Sequence, residues 1–414
     1  MRSILLIVIY IFSCTNLFAQ TDTILFTKEA IKENRINQYR NLINNNINKN
    51  LSFPLTDSTE EKWQDAFYTM EVINYKSLWA DGRISLAVNS IEERSADFQQ
   101  SLLELLYTNY PKIYTKEIKE LITKTTNTKV FAMCATYLNC SNIAFKKSKN
   151  YTIATFKDSV IVKQLFYHHN KNKSIPDKKI IQDIFMPGFL PGNILLISIQ
   201  RKNRDYPGIA IVRDKNGNFI KDEKENIFSV PQLARSVSNM PGYITNGNTP
   251  QGFFKMNGFE VSKIPAIGPT INVQLMMPYE TTPAYFLNDS TITDTTWSED
   301  LYKKLLPDKW KAYSPIWESY YASAIGRTEI IAHGTTVNTD YYRNKIYYPL
   351  TPTQGCLCTK EIWSDIDGKR IESDQQKLID ALKKAGGAYG YCIVIEIDDE
   401  QKPVSIGDII SYIR

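Results

Sequence analysis

Histidine is the scarcest reactive residue in this chain, with three among 414 positions. Two of them, His168 and His169, stand side by side at the edge of a polar run. No further ligand lies at useful spacing, so they read as solvated rather than metal-binding. Acid–base chemistry near neutral pH is left with one well-placed candidate, His333. Charge is nearly balanced: 49 Lys and Arg against 44 Asp and Glu give a formal +5. The basic residues are spread rather than clustered, which gives no case for nucleic-acid binding. Past the first residues no apolar run is long enough to span a bilayer. No internal repeat is regular enough to assign.

What is present begins with a leader. Arg2 supplies a short positive region, Ile4 to Phe12 an apolar core, and Leu17-Phe18-Ala19 a cleavage site before Gln20. The expectation is an export signal over residues 1–19 and a periplasmic or cell-envelope address. Cys14 invites a lipid anchor, but Ile11-Phe12-Ser13 is a poor attachment motif, so the anchor is the lesser reading. Cleavage leaves five cysteines: Cys134, Cys140, Cys356, Cys358 and Cys392. An odd number leaves at least one thiol unpaired within the chain. A free thiol in an oxidising compartment is a liability unless it is used.

Residues 20–175 have a helical texture. Phe98, Leu102, Leu105 and Leu106 recur at helical spacing. Thr115 and Thr128 are placed to cap two further helices, and Val160 to Phe166 is another apolar run. The Asn-rich stretch ending at Asn50 reads as a loose arm or a frayed helix. Short helices with short breaks predict stacked antiparallel pairs in a packing or spacer region, with Cys134 read as a small core residue ahead of a disulfide partner of Cys140. The polar run His169 to Lys179, which contains Pro176, reads as a linker. Over residues 180–414 the texture turns to β. Ile194 to Gln200, Gly208 to Arg213 and Cys392 to Ile397 read as strands, with a turn at Asp214 to Gly217. Pro231 to Ala234 is expected to start a short helix or turn. Gln375 to Lys384 is an amphipathic helix stopped by Gly386-Gly387. Trp310, Tyr313, Trp317, Tyr320 and Tyr321 are read first as core and second as the lining of a sugar or peptide groove. The expected class is α+β: an N-terminal all-α helical region followed by a mostly β domain.

The stretch that carries chemistry runs from Ile330 to Thr359. It holds Ala332-His333-Gly334-Thr335 and, past a loop, Thr353-Gln354-Gly355-Cys356. A thiol needs a base or a cation nearby to act as a nucleophile at neutral pH. These two motifs resemble those of the L,D-transpeptidase catalytic domain, which carries His-Gly or His-Ser on a strand and then Ser/Thr-His-Gly-Cys. Gln354 stands where that family has a second histidine, and Cys358 where it usually has Asn or Arg. A second segment, Gly247 to Phe253 with Thr249-Pro250 and Gly252, resembles the family's Gly-x-x-Thr-Pro-x-Gly-x-(Tyr/Phe) strand start.

The resemblance implies a mostly β catalytic domain over 180–414 and peptidoglycan stem peptides as partners. Cys356 is the nucleophile, and His333 the base that pairs with the thiolate and then protonates the leaving amine. Backbone amides around Gln354, Gly355 and Cys356 form an oxyanion hole. The carbonyl of Gly334 orients the imidazole. A tetrapeptide stem is cut before its terminal D-Ala, and an amine on a second stem resolves the acyl-enzyme. Water as acceptor makes the protein an L,D-carboxypeptidase instead. No cofactor and no metal is called for.

Other readings compete. A Cys356–Cys358 bridge closes a tight, strained loop. His333, Cys356, Cys358 and Cys392 have zinc-binding chemistry but match no familiar zinc spacing. A fold that keeps the site and binds wall peptides without turnover is the rival from a different functional class.

Overall fold

The run ILLISI at 194–199 has no polar face, so a strand made from it must be buried on both sides. A computed structural model describes residues 25–140, 156, 159–168, 178–244 and 246–413. In it β1 (Ile194–Arg201) is buried along its whole length. Leu195, Ile197 and Ile199 enter one core, which they share with Trp310, Trp317 and Tyr320. Leu196 enters another, shared with Leu378 and Leu382. The aromatic run is therefore packed, as the first reading expected.

β1 is one stave of a closed eight-stranded barrel. The others are β2 (Gly208–Arg213), β3 (Val230–Leu233), β4 (Gly252–Glu260), β5 (Asn272–Met276), β6 (Ile331–His333), β7 (Leu357–Thr359) and β10 (Tyr389–Asp398), in the order β1-β10-β4-β5-β6-β7-β3-β2. β1 runs parallel to β10 and β6 parallel to β7, and the remaining neighbours are antiparallel. A separate hairpin joins β8 (Glu361–Trp363) to β9 (Arg370–Ser373). β3 corrects the expectation of a helix or turn at Pro231 to Ala234. Closing the barrel needs a stave between β2 and β7, and Gln232 pairs with Gly208 on one side and Thr359 on the other. Pro231, which has no N–H to give, is the exposed residue of that strand.

Before β1 the described elements are helical. They include α1 (Lys32–Asn41), α2 (Glu60–Val72), α3 (Leu78–Asn89), α4 (Ala96–Asn109), α5 (Thr115–Lys124), α6 (Thr128–Cys140), α7 (Val160–His168) and α8 (Lys178–Phe185). Phe98, Leu102, Leu105 and Leu106 form the buried stripe of α4. Thr115 is the first residue of α5 rather than its cap. Asn127, not Thr128, caps α6: its side-chain oxygen accepts from the amides of Lys129 (2.9 Å) and Val130 (3.1 Å). The Asn-rich stretch is ordered, because α1 continues into a wider helical stretch, Leu42–Lys49, that buries Ile47. Cys134 is buried and unbridged.

The leader, the lipid-anchor candidate Cys14 and linker positions 169–177 lie outside the described residues. Among the described residues no helix is long and apolar enough to cross a membrane. Helices and barrel are joined at several places. Leu25 O accepts from Arg370 N, and Lys32 N donates to Asp365 O, so the first described residues pair with the hairpin. Met240, Tyr243 and Ile244, from the loop between β3 and β4, are buried in the helical core. The architecture is mixed α+β. Two later helices matter below: α9 (Glu318–Ala324) and α10 (Asp374–Ala385). α10 ends as expected, with Gly386 in the left-handed conformation.

Candidate active site

His333 is delivered by β6, a strand of three residues, which needs outside support. The buried amide of Gln375, at the start of α10, donates to Ala332 O (3.1 Å) and Ile271 O (3.0 Å). The turn after the histidine is held more tightly. Glu361 Oε2 accepts from Thr335 N (3.0 Å), and Trp363 Nε1 donates to Thr335 O (2.8 Å). Glu361 Oε1 accepts from Thr270 and Ser373 hydroxyls, each at 2.6 Å. A Cβ on Gly334 would collide with the Glu361 carboxylate, so the turn can close down only because residue 334 has none.

The Nδ1 of His333 is hydrogen-bonded to Gly334 O. A carbonyl only accepts, so Nδ1 carries the proton and Nε2 of the neutral ring keeps its lone pair. The ring is 5% exposed, and burial pushes its pKa down to about 4.

Cys356 lies immediately before β7. The parallel ladder pairs Ala332 with Leu357 and His333 with Cys358. Extending that register sets Cys356 across from Ile331, and the Ile331 amide does point at its sulfur (3.5 Å). His333 and Ile331 share a face of β6, so His333 and Cys356 face the same way. Strand spacing and rise put their Cα atoms about 8 Å apart, which a thiol and an imidazole can span by rotation. No hydrogen bond joins the two side chains among the described residues; the thiol donates instead to Glu329 O (3.6 Å). Burial raises the Cys356 pKa; the Ile331 amide and the Arg327 guanidinium lower it only in part. The thiolate–imidazolium pair expected from the sequence is therefore not the resting form. Thiol and imidazole both rest neutral.

Cys358 sits closer to His333 in the ladder but is sealed. It is fully buried, 3.8 Å from the Thr351 hydroxyl, and burial pushes its pKa up to about 12. Cys356 is the partly exposed thiol of the two, and they are not bridged. Cys392 is buried on β10. Among the described residues no group of three or more His, Cys, Asp or Glu is placed to hold a metal.

The turn before Cys356 is built from both resembling segments. Gly355 has φ +113°, and a Cβ there would meet Arg327 and Gly247 O. Its carbonyl accepts from the Thr249 hydroxyl (2.8 Å), while its amide donates to the Thr353 hydroxyl (3.0 Å). That commits the Gly355 amide. The amides of Gln354 and Cys356, which make no hydrogen bond among the described residues, are the donors left for an oxyanion. Gln354 is exposed, and its side chain lies beside Tyr68 of α2.

The residue that sequence reasoning missed is Arg327. Its buried guanidinium donates to Gly242 O, Gly247 O (2.6 Å) and Asn248 O (2.9 Å). It clamps the loop that carries the Thr-Pro segment and places a cation near the thiol. No motif marks it, because its partners are backbone carbonyls some 80 residues away. Glu361 and Gln375 escaped because their partners, too, lie on other elements of the chain. Compared with known proteins, this chain matches no family model, no curated protein and no solved structure.

Proposed function

We propose that this protein is an exported cysteine acyltransferase of the L,D-transpeptidase type, acting on peptidoglycan stem peptides in the cell envelope. In this reading residues 180–414 are the catalytic domain and the helices before them an accessory part. The observation that carries it is the placement of a partly exposed thiol and a neutral imidazole on one face of two adjacent parallel strands, with Nε2 free.

Because both groups rest neutral, His333 acts as a general base rather than as half of a standing ion pair. As the Cys356 sulfur bonds to the donor's amide carbon, its proton passes to Nε2. The amides of Gln354 and Cys356 receive the developing oxyanion. The imidazolium gives its proton to the departing amine as the C–N bond breaks, leaving a thioester. An incoming amine then attacks the thioester, loses a proton to Nε2 and expels the thiol. Water in place of the amine gives the carboxypeptidase outcome.

One observation favours the rival, a silent wall-binding module: the resting thiol is hydrogen-bonded away from the imidazole. Acylation by a carbapenem separates the two. The enzyme gains a mass increment mapping to Cys356, which disappears in Cys356→Ala and forms far more slowly in His333→Ala. Stem-peptide binding without any adduct, unchanged in Cys356→Ala, establishes the binding module instead.

A further inference from the structure

A cavity of about 220 Å³ lies between the helices and the barrel. α2 and α4 form one wall, with Glu71 and Tyr107. The other is formed by the segments around Arg235 and from Tyr342 to Tyr347. Glu71 is 5% exposed. Its carboxyl lines the cavity and has no hydrogen-bond partner among the described residues. A buried carboxyl without a partner costs stability unless something occupies the space it faces.

Across the cavity stand two cations. Arg235 commits Nε to Asp205 (2.6 Å) and Nη1 to Ser236 O (2.7 Å), and lies over the Tyr347 ring at 4.8 Å. The Lys345 ammonium has no hydrogen-bond partner among the described residues, although its backbone bonds to Tyr342 O and Tyr348 N. Burial and the like charges of Arg235 and Lys76 lower its pKa. The walls between are tyrosine rings. An acid, a cation and tyrosine rings lining one cavity match a ligand that carries both charges on a carbon frame. A plain amine leaves Lys345 unanswered, and a plain carboxylate leaves Glu71.

We propose that this cavity binds a small zwitterion, a free α-amino acid, with its ammonium on Glu71 and its carboxylate on Lys345. The site adjoins the nucleophile turn. Val237 N donates to Thr353 O (2.7 Å), and Thr353 N to Arg235 O (3.3 Å). Binding does not depend on acyl transfer, so the two readings fail separately.

Glu71 lies beside Glu104 on α4 and Tyr68 on its own helix, and shares the cavity lining with Tyr107, Tyr342, Arg235 and Lys345. Burial and Glu104 push its carboxyl well above the usual range. An arriving ammonium displaces that proton, so binding tightens as pH rises through the raised pKa of the carboxyl.

The test is calorimetric titration of the full mature chain with norleucine, and with its two halves, pentylamine and hexanoate. Norleucine is expected to bind about tenfold or more tightly than either half. Glu71→Gln should weaken norleucine and pentylamine by about tenfold or more and leave hexanoate alone. Lys345→Met should weaken norleucine and hexanoate by about tenfold or more and leave pentylamine alone. Cys356→Ser should change nothing. No binding at the solubility limit of norleucine, or binding indifferent to both variants, overturns the site and leaves a water-filled cavity.

Discussion

Two buried charges beside the barrel's motif turns and two carboxyls on the helices are treated in opposite ways. In the barrel, Arg327 is surrounded by backbone carbonyls, and Glu361 accepts from two hydroxyls and one amide. Both are saturated, and both pin backbone beside a motif residue. In the helices, Glu71 has no hydrogen-bond partner among the described residues, and its neighbour Glu104 receives only the Asn246 amide, at 3.2 Å. Glu104 is pushed up to about 7, mainly by burial. A saturated buried charge works by holding structure in place. An unsaturated one is a stability cost that a ligand can relieve. The same logic divides the two cysteines that flank Leu357: the sealed Cys358 packs, and the partly exposed Cys356 is left for chemistry.

The sharpest way to break the contrast is at Gly355. Gly355→Ala puts a Cβ into the Arg327 guanidinium at a φ that favours glycine, and should cost about 3 kcal/mol or more together with nearly all acylation. Chemical denaturation and carbapenem labelling read the two effects. Next, Arg327→Met strands the carbonyls of residues 242, 247 and 248 and should cost about 3 kcal/mol. A loss under about 0.5 kcal/mol would end the claim that this cation organises the site.

Glu361→Gln should cost about 1–2 kcal/mol. It should also move the ¹⁵N resonances of His333, which a loss of stability alone would leave in place. The pH dependence is subtler. Glu104 has a raised folded pKa, so its stabilising share is complete below pH 4.5 and is lost as pH rises through about 7. His333 has a depressed one, so its share is complete above pH 6.5 and is lost as pH falls towards 4. The two oppose each other in the same window. Thermal melts of Glu104→Gln should expose an acid-side loss, and those of His333→Gln an alkaline-side loss, each on the order of 1 kcal/mol. The mildest probe is brief alkylation of the native protein: iodoacetamide should mark Cys356 and spare Cys134, Cys358 and Cys392.

Much of the skeleton was readable in one dimension. The stripe of α4, the apolar run of β1 and the glycine stop after α10 are local patterns, set by residues within one element. The expectation failed at β3, where Pro231 reads as a turn former and becomes strand only because two distant staves need a neighbour. At the site, His333, Gly334, Gly355 and Cys356 were legible as paired motifs. The expected ion pair was not the resting form, because burial is a property of the folded surroundings. Gly355's amide, expected in the oxyanion hole, is instead taken by Thr353.

The chain's own order of residues decided which segments coil or extend, and which thiol and imidazole are candidates, since backbone preference and side-chain chemistry are local. Tertiary structure alone decided that Cys356 is reachable and Cys358 is not, that Arg327 and Glu361 hold the turns, and that Glu71 faces a cavity. Those outcomes depend on which water is excluded and which distant carbonyls converge, and desolvation and hydrogen bonding act across space rather than along the chain.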